Sequence, residues 1–507
     1  MTAVDETTEP ILSQSNAVGQ GFDIYGTVGQ DSLITPLFDL AASGYRPFTF
    51  LGKEWRIPAD VLGTEDTRTY FTGTTAETRN GVQASLAAHL NVNASYGAFS
   101  GEFQSDFSGE YLRSSEYTFS YQSLYAQVAR LQLVPDPQYL RAEFTDRLHE
   151  LPPSFSVADL PTFEDFFNSF GVFYTAEVTL GAHLGFWIAT AKTASLTRAE
   201  VSMVLKAQYD GLFSSGSISS SVKASTAWKS YSARSQVGIQ AVGADPAKGA
   251  AVAALDPWRP SADSVAAYRA WIGSIATDPA VVDFRLRGVW ELCGPRRKAV
   301  QEAWTAYGRS MRPSLAVTTS TTLRPPPRPT PPAVSLGRLV EPAAPPEYNV
   351  GYQAIVLDGN RDITQPAAVL FDRYYSIDNG NWPATYEAMY GEMARDLKAA
   401  PLQTSGNILV LAGFNLNWDA VPTPAFLQVM RAAGAGDQLT HWIDTADPGS
   451  RVGTPANIVM VGILGQGIGS AVEAMTSETW SDKPIPAQLN VLLFRNSTGS
   501  GYTLSEN

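Results

Sequence analysis

The chain reads as an α+β protein built on unusually long sheet strands, with a smaller α/β domain behind it, and three observations predict this. First, the stretch Phe170 to Lys192 places apolar or small residues at Val172, Tyr174, Ala176, Val178, Leu180, Ala182, Leu184, Phe186 and Ile188. That period-2 pattern is far longer than the about 5–6 residues of an ordinary strand. Second, Val82–Ala98 and Tyr117–Leu133 alternate in the same way. Third, four short apolar runs follow a proline-rich segment: Ala354–Leu357, Ile408–Ala412, Ile458–Val461 and Val491–Phe494. Helical patterns near Tyr386–Leu397, Pro424–Ala432 and Ser470–Met475 lie between them, the alternation expected of an α/β domain.

From the N-terminus, Val18–Gly26 is glycine-punctuated and aromatic and reads as a short strand. In the first tract Val82, Ala84, Leu86, Ala88, Leu90, Val92, Ala94, Tyr96 and Ala98 are apolar, while Gln83, Ser85, His89, Asn91, Asn93 and Ser95 are polar. Extended, such a segment is a ribbon greasy on one side and wet on the other. The phase flips at Ala98–Phe99, and Phe99, Phe103, Phe107 and Tyr111 take the odd positions, which predicts a bulge or turn near Gly97 or Gly101. A transmembrane strand needs about 9–11 residues, and these stretches are long enough. Between Pro135 and Phe170 the pattern turns helical; a helix over Thr162–Ser169 gathers Phe163, Phe166, Phe167 and Phe170 on one face and delivers the chain into the long strand. Gly181 and Gly185 inside that strand predict a bend or a close backbone approach. A second Ser-rich tract, Leu205–Ser235, alternates Ile218, Val222, Ala224 and Trp228 with serine and lysine. Val237, Ile239 and Ala241 then lead a strand into Gly243.

The run Phe170-Gly171-Val172-Phe173-Tyr174, six residues, then Gly181-Ala182 resembles the signature of the membrane-attack-complex/perforin family, Tyr-Gly-Thr-His-aromatic, six residues, Gly-Gly. Gly171, Tyr174 and Gly181 match strictly; Phe170, Val172-Phe173 and Ala182 depart from it. The order of strands and tracts agrees, and Trp271, Ser274, Pro279, Val281–Phe284, Leu286 and Trp290–Leu292 are similar to the closing pattern of the family. The resemblance spans roughly residues 15–310. It implies a MACPF/CDC-like fold, a bent antiparallel sheet flanked by two helical clusters that unroll into hairpins. It further implies a pore-forming protein that assembles as a ring or arc of identical copies on a target membrane. On this reading Phe170, Gly171, Tyr174, Gly181 and Ala182 belong to the bend and Gly243 to the fourth strand. The inserting residues would be Val82, Ala84, Leu86, Leu90, Val92, Tyr96, Phe99, Phe103, Phe107, Ile218, Val222, Ala224 and Trp228. Before assembly both tracts are expected as short helices on the sheet, because an unpaired ribbon exposes edges and greasy residues.

Three segments are expected: a pore-forming domain over 1–312, an extended proline-rich linker over 313–346, and a targeting domain over 347–507. A net charge of −13 and a pI near 4.9 argue against nucleic acid and against purely electrostatic adsorption to anionic lipid. Attachment to a lipid, glycan or receptor is therefore assigned to the last domain, with Tyr374, Tyr375, Trp382 and Trp418 as candidate exposed aromatics. Cys293 is the only cysteine, and His89, His149, His183 and His441 lack ligand spacing, so no metal or cofactor is expected. Gly462–Ser470 reads as a tight strand-to-helix turn rather than an anion site, and Gly434 as a helix C-cap. No carboxylate pair is placed for acid/base catalysis, so no enzyme activity is expected. The start has no signal-peptide pattern and no run of about eighteen apolar residues occurs; the protein is expected to be soluble, released or secreted, and then bound to its target. The alternatives are a non-lytic adhesion or scaffolding protein on the same fold and, more weakly, an enzymatic or ligand-binding C-terminal domain.

Overall fold

A computed structural model describes residues 9–76, 79–92, 98–99, 117–191, 197–321, 330–336, 339–340, 351–377, 382–399, 401–414, 416, 421–436, 439, 455–477, 485–495 and 501–506. The chain divides into two units, the first ending at Gly308 and the second running from Arg309. The first begins with β1 (Gln20–Phe22), β2 (Leu33–Pro36) and the hairpin β3 (Tyr45–Phe50) and β4 (Lys53–Pro58). It continues through β5 (Val61–Ala76), α1 (Arg79–His89), β6 (Tyr117–Leu133), α2 (Ala142–Glu150), α3 (Leu160–Phe170) and β7 (Phe173–Ala191). Then come α4 (Arg198–Asp210), α5 (Ser220–Ala224), α6 (Thr226–Ala233), β8 (Ser235–Gly243), α7 (Pro246–Ala253), α8 (Ala262–Ile272), β9 (Ala280–Gly288) and α9 (Arg297–Met311).

The alternating run at the centre of the sequence is β7, a single strand of 19 residues. One edge takes β6 over Glu177–Ala191, with β5 beyond it, and β1 at Phe173–Tyr174. The other edge changes partner: β9 pairs along Phe173–Gly181 and β8 along Ala182–Thr190, all antiparallel. Both faces are covered, and Thr175, Thr179 and His183 of β7, with Ser123 and Gln127 of β6, are buried along with the apolar set. The helix into β7 behaves as its phenylalanines require: Phe163, Phe166, Phe167 and Phe170 of α3 are buried, with Phe144 of α2 5.5 Å from Phe166 and 5.3 Å from Phe170. It stops at Gly171 (φ 77°, ψ 158°), a conformation almost reserved to glycine.

The second unit comprises β10 (Ser314–Thr321), β11 (Thr330–Leu336), β12 (Leu339–Val340), β13 (Gly351–Leu357), β14 (Val369–Ser376) and α10 (Trp382–Leu397). They are followed by β15 (Ile408–Phe414), α11 (Pro424–Ala432), β16 (Pro455–Ile463), β17 (Val472–Ser477), β18 (Ile485–Arg495) and β19 (Tyr502–Glu506). Two five-stranded antiparallel sheets result, ordered β14-β13-β15-β16-β17 and β12-β11-β10-β18-β19. One face of the first sheet carries Tyr352, Leu411 and Met460 against Tyr390 and Met393 of α10 and Phe426 of α11. Its other face carries Ile355, Val410 and Val461 against Leu315, Val334 and Leu489 of the second sheet.

The structure departs from four sequence expectations. Much of the segment read as a spacer over 313–346 is sheet: β10 pairs with β18 from Ser314↔Leu492 to Thr321↔Ile485, and Leu315, Val317, Val334 and Leu336 are core residues. The prolines of β11 stand at its start, Pro331 and Pro332, where a missing N–H costs least. The domain is antiparallel rather than α/β in the sense of strands alternating with crossover helices, because its central strands are apolar on both faces and so imitate the runs of a parallel sheet. Residues 472–475, read as part of a helix, belong to β17, so Gly462–Ser470 runs from the end of β16 into the link to an antiparallel strand and opens no helix. Finally, Tyr375 is buried, its hydroxyl donating to Asp396 at 3.0 Å, and is no exposed anchor.

Candidate membrane-inserting tracts and the strand that carries them

Three glycines of the first unit are fixed by backbone they touch. A Cβ on Gly171 would lie 2.6 Å from the Phe22 nitrogen, one on Gly181 2.0 Å from the Ala126 carbonyl oxygen, and one on Gly243 2.4 Å from the Gly181 oxygen. Gly181 has φ 158° and Gly243 φ 79°. At the same level β6 carries a bulge between Gln127 and Ala129, and the β9 register shifts between Thr179 and Leu180. Bulges bend and twist a strand, so irregularities on two neighbouring strands meet where β7 exchanges β9 for β8. Ala182, buried beside Gly181, pairs with Gly243 across the junction. The junction is pinned by Trp271, whose indole N–H donates to the Gly243 carbonyl at 2.8 Å, and by Ser274, whose hydroxyl accepts the Asp245 N–H at 3.1 Å. Gly185 serves another purpose: with Gly238 it clears space for the Trp187 ring, which stacks on Tyr121 at 5.7 Å. Phe170 and Tyr174 are buried near the base of β7, and burial pushes the Tyr174 hydroxyl up to about 12.

The first tract leaves the end of β5 as α1. Val82, Leu86, Leu90 and Val92 are buried, as is Phe99; Ala84 is exposed. The buried set on and just after the helix, Val82, Gln83, Leu86, Ala87 and Leu90, follows helical spacing, although Val82, Leu86 and Leu90 among them also satisfy period-2 alternation. Gln83 is 3% exposed, and neither its amide nitrogen nor its oxygen finds a partner among the described residues. An unmet buried amide group costs about 1–3 kcal/mol. Tyr96, Phe103 and Phe107 lie outside the described residues, as does the turn expected near Gly97 or Gly101.

The second tract, between β7 and β8, is a chain of short helices. Thr197 caps α4 in a reciprocal box with Glu200, Ser219 caps α5 and Ser225 caps α6. The serines therefore satisfy helix N-termini, which accounts for part of their density in the sequence. Ile218 and Trp228 are buried, Val222 is half-buried and Ala224 is exposed. Trp228 and Tyr231 meet Trp258 at 5.8 and 5.6 Å, and Tyr209 meets Phe71 of β5 at 5.3 Å.

One cluster has no signal in the sequence. His89 of α1 and Tyr70 of β5 both donate to Asp283 of β9, at 3.0 and 2.8 Å. Tyr125 of β6 stacks with Tyr70 at 4.9 Å and with His183 of β7 at 4.6 Å. His183 shares a 3.0 Å hydrogen bond with Ser123, and burial drives its pKa down from 6.5 to about 4. These residues come from five elements and become neighbours only in the fold. Among the described residues no His, Cys, Asp and Glu side chains gather as a metal site, and no helix is long and apolar enough to cross a membrane.

A family model described as MAC/Perforin domain matches residues 11–314, more than half of the chain. Among solved structures, GNIP1Aa from Chromobacterium piscinae is similar in fold, with 16% identity and a TM-score of 0.50 over 68% of this chain and 73% of that one. A putative cell invasion protein with a MAC/Perforin domain from Bacteroides thetaiotaomicron matches at 11% identity and a TM-score of 0.40, covering 59% of this chain and 63% of that one. A non-hemolytic pneumolysin from Streptococcus pneumoniae matches at 10% identity and a TM-score of 0.24, covering 62% and 64%. No match was found among curated proteins.

Proposed function

Since the chain belongs to the MAC/perforin family, we propose that it is a pore-forming protein that assembles on a target membrane and inserts both tracts as β-hairpins. The observation that carries this reading is the placement of each tract between two adjacent, antiparallel strands of one sheet: the first joins β5 to β6, the second joins β7 to β8. A tract that straightens simply prolongs strands already paired. In the folded-back state Val82, Leu86, Leu90, Val92 and Phe99 are out of water. At about 1.5–3 kcal/mol for each large side chain, this holds the tract closed by on the order of 10 kcal/mol. Against lipid that term largely vanishes, because the same side chains are again shielded from water. Gln83, His89 and Asn91 then fall on the opposite, wet face, where the Gln83 amide meets water. Lipid tolerates no open backbone edge, so neighbouring copies must pair their hairpins until a barrel closes. The second unit is assigned the first contact with the target surface.

Dye release from liposomes with negative-stain imaging of the same samples tests this. A disulfide engineered between positions 90 and 286, whose backbones are joined by the Leu286 N–H to Leu90 carbonyl bond of 3.2 Å, should leave vesicle binding intact and stop release until it is reduced. Cys293 will not interfere, being buried with its thiol pushed up to about 12. Equal release from oxidised and reduced protein would show that the first tract does not unroll. Absence of release and of rings from the unmodified protein would favour a non-lytic role on this fold.

A further inference from the structure

The buried residues on and just after α1 are apolar apart from Gln83, but its last turn is tied by polar bonds to one strand. The Asp283 carboxylate accepts His89 Nε2 at 3.0 Å and the Phe284 backbone N–H at 2.9 Å on one oxygen, and the Tyr70 hydroxyl at 2.8 Å on the other. Asp283 is 8% exposed, so these bonds are shielded from competing water and are worth more than surface equivalents. Just beyond, the Leu286 N–H donates to the Leu90 carbonyl and Asn91 reaches the Leu286 carbonyl at 3.5 Å. Among the described residues these three hydrogen bonds of residues 89–91 go to β9, while the His89 ring also stacks on Tyr125 of β6 at 5.5 Å. Strand β9 pairs with the lower half of β7 and takes no part in the β5–β6 hairpin that the tract would prolong. Beside them a cavity of about 200 Å³ opens between α1 and the sheet, lined by Ser85, Leu86, His89, Thr72 and Tyr121. Apolar packing is incomplete there, which leaves more of the hold to the polar bonds.

We propose that Asp283, held from β5 by the Tyr70 hydroxyl, is the positioning residue that clasps the first tract to β9 through His89, and that parting His89 from Asp283 is the local step that frees α1. This rests on the pore-forming reading for its consequence, but the clasp itself can be measured without a membrane. In the unrolled ribbon His89 lies on the wet face with Gln83 and Asn91, so the histidine is not needed there and its loss should ease release without harming the inserted state.

The test is hydrogen–deuterium exchange on the full-length protein in solution, read over residues 79–90, alongside dye release. His89→Ala and Asp283→Asn should each raise exchange in that segment about tenfold, the effect of losing one shielded hydrogen bond to a charged group. The remainder of the first unit, α3 in particular, should keep its protection, and dye release should begin sooner. Tyr70→Phe leaves the histidine bond in place and should give a smaller rise, which guards against an Asp283 variant that fails to fold. The double variant His89→Ala with Asp283→Asn should be no faster than either single one. Unchanged exchange over 79–90 in His89→Ala, additive effects in the double variant, or an equal rise throughout the first unit would each overturn the clasp. If exchange responds as expected while no variant releases dye, the clasp stands and the pore-forming reading fails.

Discussion

At the scale of single residues, the junction of β7 gives the sharpest expectation. A side chain at position 181 would meet the Ala126 carbonyl at 2.0 Å, and backbone paired on both sides cannot move away. Gly181→Val should cost about 3 kcal/mol or more, whereas Ala182→Gly loses one buried methyl and adds chain entropy, about 1 kcal/mol. Equal losses in denaturant melts of the two variants would place the constraint elsewhere. His183 gives a pH dependence. Its folded pKa of about 4 lies below the ordinary 6.5 because burial disfavours the cation. The unfolded chain therefore takes up a proton first as pH falls. The stability from keeping this group neutral is fully present above 6.5, declines through the interval down to about 4, and amounts to about 3 kcal/mol at most. Melting temperatures of the wild type and His183→Gln should converge as pH falls from 7 to 4; a constant gap would mean that His183 does not titrate in this window. Gly171, Gly181 and Gly243 could be singled out through the resemblance to the family, and each answers a backbone need. The partnership of His89, Tyr70 and Asp283 could not, since residues so far apart in sequence leave no periodic trace.

At the scale of elements, β6 and β7 were legible because alternation is sustained along each strand, whereas β5 (Val61–Ala76), rich in threonine, gave no such signal. The tracts were legible only in part. Residues 82–90 fit two periodicities, and the one that governs the fold described here is the helical one, with Ala84 exposed and Gln83 buried. A segment required to fold in two ways must carry both patterns, so neither can be clean. The strands β10 and β11 were hidden by the prolines beside them, yet they supply Leu315, Val317, Val334 and Leu336 to the core between the two sheets. A fragment beginning at residue 347 should therefore expose the β18 edge and aggregate, while one beginning at Arg309 should melt cooperatively as a soluble domain. Circular dichroism and size-exclusion chromatography of the two fragments decide this; two equally stable fragments would deny β10 its place in the core.

At the scale of the whole molecule, composition limited the partners, with an acidic chain unsuited to phosphate backbones, but it did not reveal how the second unit is layered. Strands covered by helices on one face and by a second sheet on the other lose their alternation, and with it the cue to strand direction. The pairing of β10 with β18 also bears on how the protein is made. Ser314 to Thr321 wait for partners that start at Ile485, an interval on the order of ten seconds at ribosomal rates of about 5–20 residues per second. Through that time β10 has an open edge, and β11, synthesised directly after it, is the neighbour of its own sheet at hand to cover the other. Until Ile485 emerges, that edge is open to a stray strand from another nascent chain.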